Sequence, residues 1–140
     1  MVGAVLDELA SAKRVEDTIV IFLADHGMPF PGAKFNCYPD SLRTPLIIRW
    51  PGTVKDGAVD ETHMISTVDL QPTILDALRL SPTKVLDGLS FLPILLGKKQ
   101  ADRGVVFGQF YHIHGGDALP MYSVLTRQSA YVFNPWSNGK

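Results

Sequence analysis

Residues 18–25 are Thr-Ile-Val-Ile-Phe-Leu-Ala-Asp, an apolar run that ends on an acid. The first four of these residues are β-branched and both faces of the run are apolar, a pattern typical of a strand that is covered on both sides. The run therefore predicts a central parallel strand in an α/β sheet. Two prolines and two glycines follow within residues 27–34, and they predict a loop at the carboxyl end of that strand.

Helical and strand patterns flank this segment. Apolar residues at helical spacing predict one helix that begins at Val2 and ends near Arg14. Residues 45–50 form a second strand candidate, which a Pro-Gly pair closes. A further helix is predicted over residues 68–78, with Ser66 or Thr67 as its cap.

The C-terminal part of the chain has a different pattern. Short aromatic or β-branched runs at residues 105–107, 121–125 and 130–133 are separated by turn residues and predict an antiparallel meander. We therefore expect an α/β fold with two parts. Residues 1–100 would form part of a mixed, mainly parallel sheet with flanking helices, and residues 101–140 a small C-terminal antiparallel sheet.

Composition and charge exclude several classes of function. The 140 residues include 13 Lys and Arg and 14 Asp and Glu, so the formal net charge is -1 and no basic field attracts nucleic acid or an anionic membrane. No run approaches the roughly 18 apolar residues of a membrane span. The single cysteine excludes an internal disulfide framework. The first seven residues have no positive region ahead of an apolar core, so we expect no signal peptide in this sequence.

The residues that follow the predicted strand are the candidates for chemistry. Asp25 lies where an open α/β sheet binds ligands. A carboxylate in this place needs a cation or several hydrogen-bond donors. We therefore expect one of two arrangements. Either Asp25 binds a metal ion, or its carboxylate accepts hydrogen bonds from the backbone N–H groups of a turn and His26 is exposed. Lys34 lies nine residues further on, close enough for the loop to fold back and offer an ammonium to an anionic substrate.

Several segments, in order, resemble the C-terminal half of the sulfatase family of the alkaline phosphatase superfamily. The resemblance rests on residues 18–34, 41–52, 66–75, 86–93 and 121–133, and it covers nearly all of the chain. The Met-Pro-Phe-Pro loop at residues 28–31 and the Asn-Pro-Trp ending at residues 134–136 are most similar to the heparan N-sulfatase-like branch of that family.

The resemblance implies roles for three residues. Asp25 would be a carboxylate ligand of a divalent cation, normally Ca²⁺. His26 occupies the neighbouring position, where it would either ligate the metal or hydrogen-bond the substrate or leaving group. Lys34 would bind the sulfate oxygens of a sulfated carbohydrate or another sulfate ester. A hard cation takes carboxylate oxygen readily, and with an ammonium it neutralises charge that develops on a transferring sulfuryl group.

The resemblance also implies a nucleophile that this sequence lacks. Sulfatases use a formylglycine made from the Cys or Ser of an N-terminal Cys-x-Pro-Ser-Arg type motif. Cys37-Tyr38-Pro39 imitates the first three positions, but Asp40 and Ser41 follow, and we expect Cys37 to be an ordinary buried residue. We therefore expect the chain to be a C-terminal fragment of a sulfatase, inactive alone.

Two alternative functions and two further expectations stay open at this point. The alternatives are a fragment of an alkaline-phosphatase-like phosphodiester or phosphonate hydrolase, and a noncatalytic binding or assembly module. His112 and His114 have the spacing of a zinc pair on a strand, although a loop is favoured there because no third ligand follows at useful spacing. A halved sheet would leave apolar surface open, which predicts self-association into homo-oligomers.

Overall fold

The fold was analysed in a computed structural model that describes residues 2–28, 30–111 and 119–137. Four helices and five strands are present in these residues. In chain order they are α1 (Val2–Ser11), β1 (Val20–Leu23), α2 (Pro39–Leu42), β2 (Leu46–Arg49), α3 (Leu70–Ala77), α4 (Leu92–Leu95), β3 (Val106–Phe110), β4 (Met121–Leu125) and β5 (Ala130–Phe133). The mixture of helices and strands confirms the α/β class.

The first sheet is a two-stranded antiparallel ribbon of β1 and β2. Val20 lies opposite Arg49, and Leu23 lies opposite Leu46. The mainly parallel arrangement that the sequence predicted is therefore absent among the described strands, where the neighbour of β1 runs antiparallel to it. An apolar run indicates how far a strand is covered in the complete fold but does not fix the direction of its neighbour.

Apolar side chains of the first sheet and of α1 are exposed within the described residues. Phe22 is 42% exposed and Ile47 is 60% exposed, and α1 has no buried residue. The two-sided cover expected for β1 is therefore not provided by this part of the chain. Self-association through this surface stays a prediction. None of the helices in the described ranges is long and apolar enough to cross a membrane.

Ser66, one of the two caps that the sequence predicted, caps the turn that precedes α3, and α3 itself begins at Leu70. A 3₁₀ turn over Thr67–Asp69 leads into the helix, and the carboxylate of Asp69 accepts the backbone N–H of Ser66 at 2.8 Å. The Thr73 hydroxyl then accepts the N–H of Phe91 at 3.0 Å, which joins α3 to the start of α4. Capping and side-chain hydrogen bonds thus fix the segment between the two sheets.

The second sheet is the antiparallel meander β3-β4-β5, which confirms the small C-terminal sheet. Strand β4 lies in the centre, and its alternate residues Met121, Ser123 and Leu125 are buried. Between β4 and β5, the N–H of Thr126 donates to the carbonyl of Ser129 at 2.8 Å and closes the tight turn. The histidine pair at residues 112 and 114 lies outside the described residues.

The second sheet packs against the segment that carries α2. Cys37 is fully buried, and its Sγ donates to the carbonyl oxygen of Met121 at 3.4 Å. Gly108 of β3 has no space for a Cβ, because the side chains of Leu42 and Ser123 occupy that position. The C-terminal sheet therefore anchors the chain that follows β1, and this chain holds the candidate site.

Candidate functional site

The candidate site begins two residues after the end of β1. The Asp25 side chain is 87% exposed, and its Oδ2 lies 3.4 Å from Nε2 of His26. Nδ1 of His26 lies 2.7 Å from the carbonyl oxygen of Gly27. When Nδ1 donates its proton to this carbonyl, Nε2 presents a lone pair beside the carboxylate. A backbone carbonyl in this role is a common partner of metal-ligating imidazoles.

Asp25 does not cap a turn through backbone N–H groups of the described residues. No backbone N–H of those residues donates to the Asp25 carboxylate, whose one close polar neighbour there is His26. An exposed carboxylate without N–H donors keeps its oxygen lone pairs available to a cation. The metal role of Asp25 stays a prediction.

Gly27 closes the loop that follows β1. Its N–H donates to the carbonyl of Ser41 at 3.0 Å. A Cβ at Gly27 would overlap the backbone oxygens of Asp40 and Ala33. The backbone therefore returns to the end of β1 at two places, and Ala33 directly precedes Lys34. Glycine is required here because both neighbours are backbone atoms that cannot move aside.

Lys34 does not pair with Asp25. No carboxylate of the described residues lies within ion-pairing distance of the Lys34 ammonium. Its Nζ lies instead over the ring of Phe35, 4.9 Å from the ring centroid. The structure thus brings the side chains of Asp25 and His26 together, and it brings the Lys34 segment back to Gly27 through the backbone of Ala33.

The turn around Phe35 was missed by the sequence analysis. Phe35 has φ 60° and is 57% exposed, and the left-handed conformation costs about 1–2 kcal/mol for a residue with a side chain. The Asn36 amide holds this turn, because Nδ2 donates to the Lys34 carbonyl at 2.9 Å and Oδ1 accepts the Tyr38 N–H at 2.8 Å. An asparagine that bonds its neighbouring backbone is a turn signal that the sequence did offer.

Cys37 is a packing residue, as the sequence predicted. Burial raises the pKa of its thiol, and this effect outweighs the hydrogen bonds to Ser123 and Phe110 that lower the pKa. The nucleophilic thiolate is therefore disfavoured.

Comparison with known proteins shows the family of this chain. Residues 32–132 match the family described as "N-sulphoglucosamine sulphohydrolase, C-terminal". The chain belongs to this sulfatase family. It is 38% identical over 143 residues to human N-sulphoglucosamine sulphohydrolase, which covers 95% of this chain and 28% of the human protein. It is also 38% identical over 91 residues to an ulvan-active sulfatase of Formosa agariphila, covering 65% of this chain and 15% of that protein.

A solved sulfatase has a similar fold. The structure of a 2-O GAG sulfatase superposes with a TM-score of 0.85 and 26% identity, over 98% of this chain and 31% of that chain. The chain therefore spans less than a third of the length of each of these sulfatase relatives.

The described residues of this sulfatase region contain few donors that a metal ion at Asp25 could use. No group of three or more His, Cys, Asp or Glu side chains able to hold a metal ion occurs within the described ranges. The Asp25 carboxylate and the His26 imidazole provide two adjacent ligand atoms, whereas Ca²⁺ takes six to eight oxygen ligands. The donor set fits a site that is completed by ligands from outside these residues.

Two further charged clusters of the sulfatase chain lie outside the candidate site, and the sequence analysis did not find them. The buried Asp69 pairs with Arg103. The His63 side chain is only 19% exposed and places Nδ1 2.6 Å from the Asp60 carboxylate. Its Nε2 lies 2.9 Å from the Gln100 carbonyl. Both clusters join segments that are distant in the sequence.

Proposed function

We propose that this chain is the C-terminal portion of a sulfatase that hydrolyses sulfate esters or N-sulfates of sugars. Its family membership and its similarity to a human N-sulphoglucosamine sulphohydrolase support this function. The observation that carries the site assignment is the closure of the loop at Gly27, which returns the Lys34 segment to the residues after β1. As expected from the sequence, residues 1–100 would belong to the sulfatase core and residues 101–140 to the small C-terminal sheet.

Each candidate side chain has a chemical role in this proposal. Asp25 supplies a hard carboxylate ligand to a divalent cation, Ca²⁺ by the resemblance. His26, oriented by the Gly27 carbonyl, either completes that side of the metal site or hydrogen-bonds the leaving group. Lys34 offers an ammonium with three donors to the sulfate oxygens. A bound cation neutralises negative charge that develops during sulfuryl transfer, and Lys34 adds to this effect from the loop.

The nucleophile is proposed to lie outside this sequence. Cys37 is fully buried and its thiol pKa is raised, so it is not available to attack a substrate. A formylglycine from a Cys-x-Pro type segment elsewhere in the complete enzyme would supply the reaction. We therefore expect the 140-residue chain to bind sulfate without hydrolysing its esters.

The test is a calorimetric titration of the chain with a sulfated disaccharide, with and without Ca²⁺. Replacing Lys34 by Ala should weaken binding about tenfold or more, because a hydrogen bond to a charged group contributes about 1.5–3 kcal/mol. The matched control is Lys84→Ala, which removes an exposed lysine outside the loop. Equal affinities for the chain and Lys34→Ala would overturn the assignment.

The same titration separates the alternative functions. A phosphonate that binds tenfold more tightly than sulfate would favour the phosphonate hydrolase. Binding of neither anion and of no cation would favour a noncatalytic assembly module. Hydrolysis of an aryl sulfate by this chain would contradict the proposal that the nucleophile lies elsewhere.

A further inference from the structure

Two aromatic side chains connect the Lys34 ammonium to the C-terminal sheet. Nζ of Lys34 lies 4.9 Å from the centroid of the Phe35 ring, within the distance at which a cation is attracted by the ring face. The Phe35 ring in turn meets the ring of Phe110 at the end of β3, with centroids 6.3 Å apart and planes at 64°. This edge-to-face geometry is a favourable one for aromatic pairs. The candidate anion ligand is thus linked to β3 through two rings.

Phe35 has two properties that packing alone does not explain. It is bulky but adopts a φ of 60°, and it is 57% exposed although it is apolar. Strained backbone of this kind persists only where the surroundings enforce it, and it is concentrated at functional sites. Two contacts beside Phe35 enforce this conformation. The Asn36 amide bridges Lys34 and Tyr38, and Cys37 is hydrogen-bonded to Met121 of β4.

An aromatic partner affects a lysine differently from a carboxylate partner. A carboxylate would neutralise the ammonium and occupy its N–H donors, whereas a ring face attracts the charge through its quadrupole and provides no lone pair. Lys34 has no carboxylate partner among the described residues. Its charge and its donors therefore stay available to an oxyanion while the ring restricts where the ammonium can lie.

We propose that Phe35, supported by Phe110, is a positioning residue that holds the Lys34 ammonium ready to bind the oxyanion of the substrate. This inference rests on the proposed role of Lys34 in sulfate binding. Ordering a flexible lysine before the anion arrives reduces the conformational entropy lost on binding. The C-terminal sheet, which holds Phe110, would then contribute to anion binding without touching the anion.

The first test measures the position of Lys34 directly. In the NMR spectrum of the full chain, the ring current of Phe35 should shift the Hε protons of Lys34 upfield from the values of exposed lysines. Phe35→Leu should remove this shift and Phe35→Tyr should keep it. Phe110→Leu should reduce it. The matched control is Phe107→Leu, which removes a 74% exposed ring from the same strand and should leave the shift unchanged.

The second test measures affinity for sodium sulfate with the same variants. Phe35→Leu should weaken sulfate binding about two- to fivefold, the effect expected from a cation–π contact at an exposed site. Phe35→Tyr should keep wild-type affinity. Across the variants, sulfate affinity should therefore change together with the ring-current shift, which a merely structural role for Phe35 would not require. Phe107→Leu should bind as wild type does.

The outcomes distinguish this inference from the function on which it rests. Wild-type sulfate affinity in Lys34→Ala would overturn the proposed function. Loss of affinity in Lys34→Ala, combined with wild-type affinity and a lost ring-current shift in Phe35→Leu, would overturn only the positioning role. A wild-type chain without the upfield shift would also overturn it. Should Phe35→Leu fail to fold, Phe110→Leu and the wild-type shift still decide the question.

Discussion

The carboxylate of Asp69 and the guanidinium of Arg103 form an ion pair between residues 34 positions apart in the sequence. Asp69 is fully buried. Its oxygens also accept the N–H groups of Ser66 and Leu89, each at 2.8 Å. One carboxylate therefore ties the start of α3 to the segment before α4 and to the segment before β3.

Removal of this carboxylate should destabilise the fold strongly. We expect Asp69→Ala to lower the free energy of unfolding by about 3–5 kcal/mol, because it leaves the Arg103 charge and two backbone donors without their partner. Asp76→Ala, at an exposed position of α3, should change the free energy of unfolding by less than about 0.5 kcal/mol. Urea titrations of both variants measure the difference, and equal midpoints would contradict the structural role of Asp69.

Stability should fall as the pH rises past the ordinary pKa of histidine, because of His63. Both of its ring nitrogens face oxygen acceptors, so only the imidazolium donates to both. The hydrogen bond to the Gln100 carbonyl, followed by that to Asp60, raises the pKa of His63 from 6.5, and the charge of Asp102 adds to this. A raised folded-state pKa means that the stabilisation is complete below pH 6.5 and is lost as the pH rises through the raised value.

Melting temperatures measured from about pH 5.5 to about pH 9, on both sides of the ordinary histidine pKa of about 6.5, would measure this effect. His63→Gln should remove most of the decline above pH 6.5. A decline of equal size in the variant would assign the pH dependence to other groups.

The acid limb of the stability curve should depend on Asp60. Partial burial raises the pKa of Asp60, but the N–H of Thr62 and the ring and N–H of His63 outweigh this effect and lower the pKa to about 2. The resulting stabilisation is present above the ordinary value of 3.8 and is lost as the pH falls toward 2. Asp60→Asn should flatten the stability curve between these values in acid titrations followed by circular dichroism. An unchanged curve would refute the assignment.

Substitution of Gly27 should disrupt the loop that carries Lys34. We expect Gly27→Ala to lower the free energy of unfolding by about 1–3 kcal/mol, because the added methyl overlaps backbone oxygens of Asp40 and Ala33. Gly3→Ala is the control, since a Cβ there meets open space in α1, and it should stabilise the chain by about 0.5–1 kcal/mol. Sulfate titration of Gly27→Ala should show weaker binding, and wild-type affinity would contradict the role of loop closure.

Cys37 should not react in the native protein. Its burial and raised pKa predict that a thiol reagent modifies it only after urea unfolds the chain. The mass of the isolated chain should also correspond to an unconverted cysteine. Rapid modification in native buffer, or the mass of a formylglycine, would contradict the packing role.

The sequence predicted elements well where one local pattern determines them. The runs at residues 121–125 and 130–133 coincide with β4 and β5, and the predicted helix near residue 70 begins after its predicted cap. The sequence did not predict the antiparallel pairing of β1 with β2. Pairing direction depends on which distant strand lies beside β1, and the apolar pattern of β1 does not determine it.

The candidate site could be predicted only in part for a similar reason. Asp25 and Lys34 were found because strand ends and proline-rich loops are local signals. The supporting role of Phe110 and the buried pair of Asp69 depend on contacts between segments far apart in the sequence. No local pattern records such contacts, so only coordinates could reveal them. The metal and sulfate roles of Asp25, His26 and Lys34 stay predictions.

The anchorage of Cys37 on Met121, across 84 positions of the chain, has a consequence for biosynthesis. During translation, the turn that presents Lys34 leaves the ribosome well before the strand that must hold it. Contacts with such sequence separation form late, after the costly closure of a long loop. A ribosome that stops before Met121 would therefore release a polypeptide whose binding loop lacks its anchor on β4.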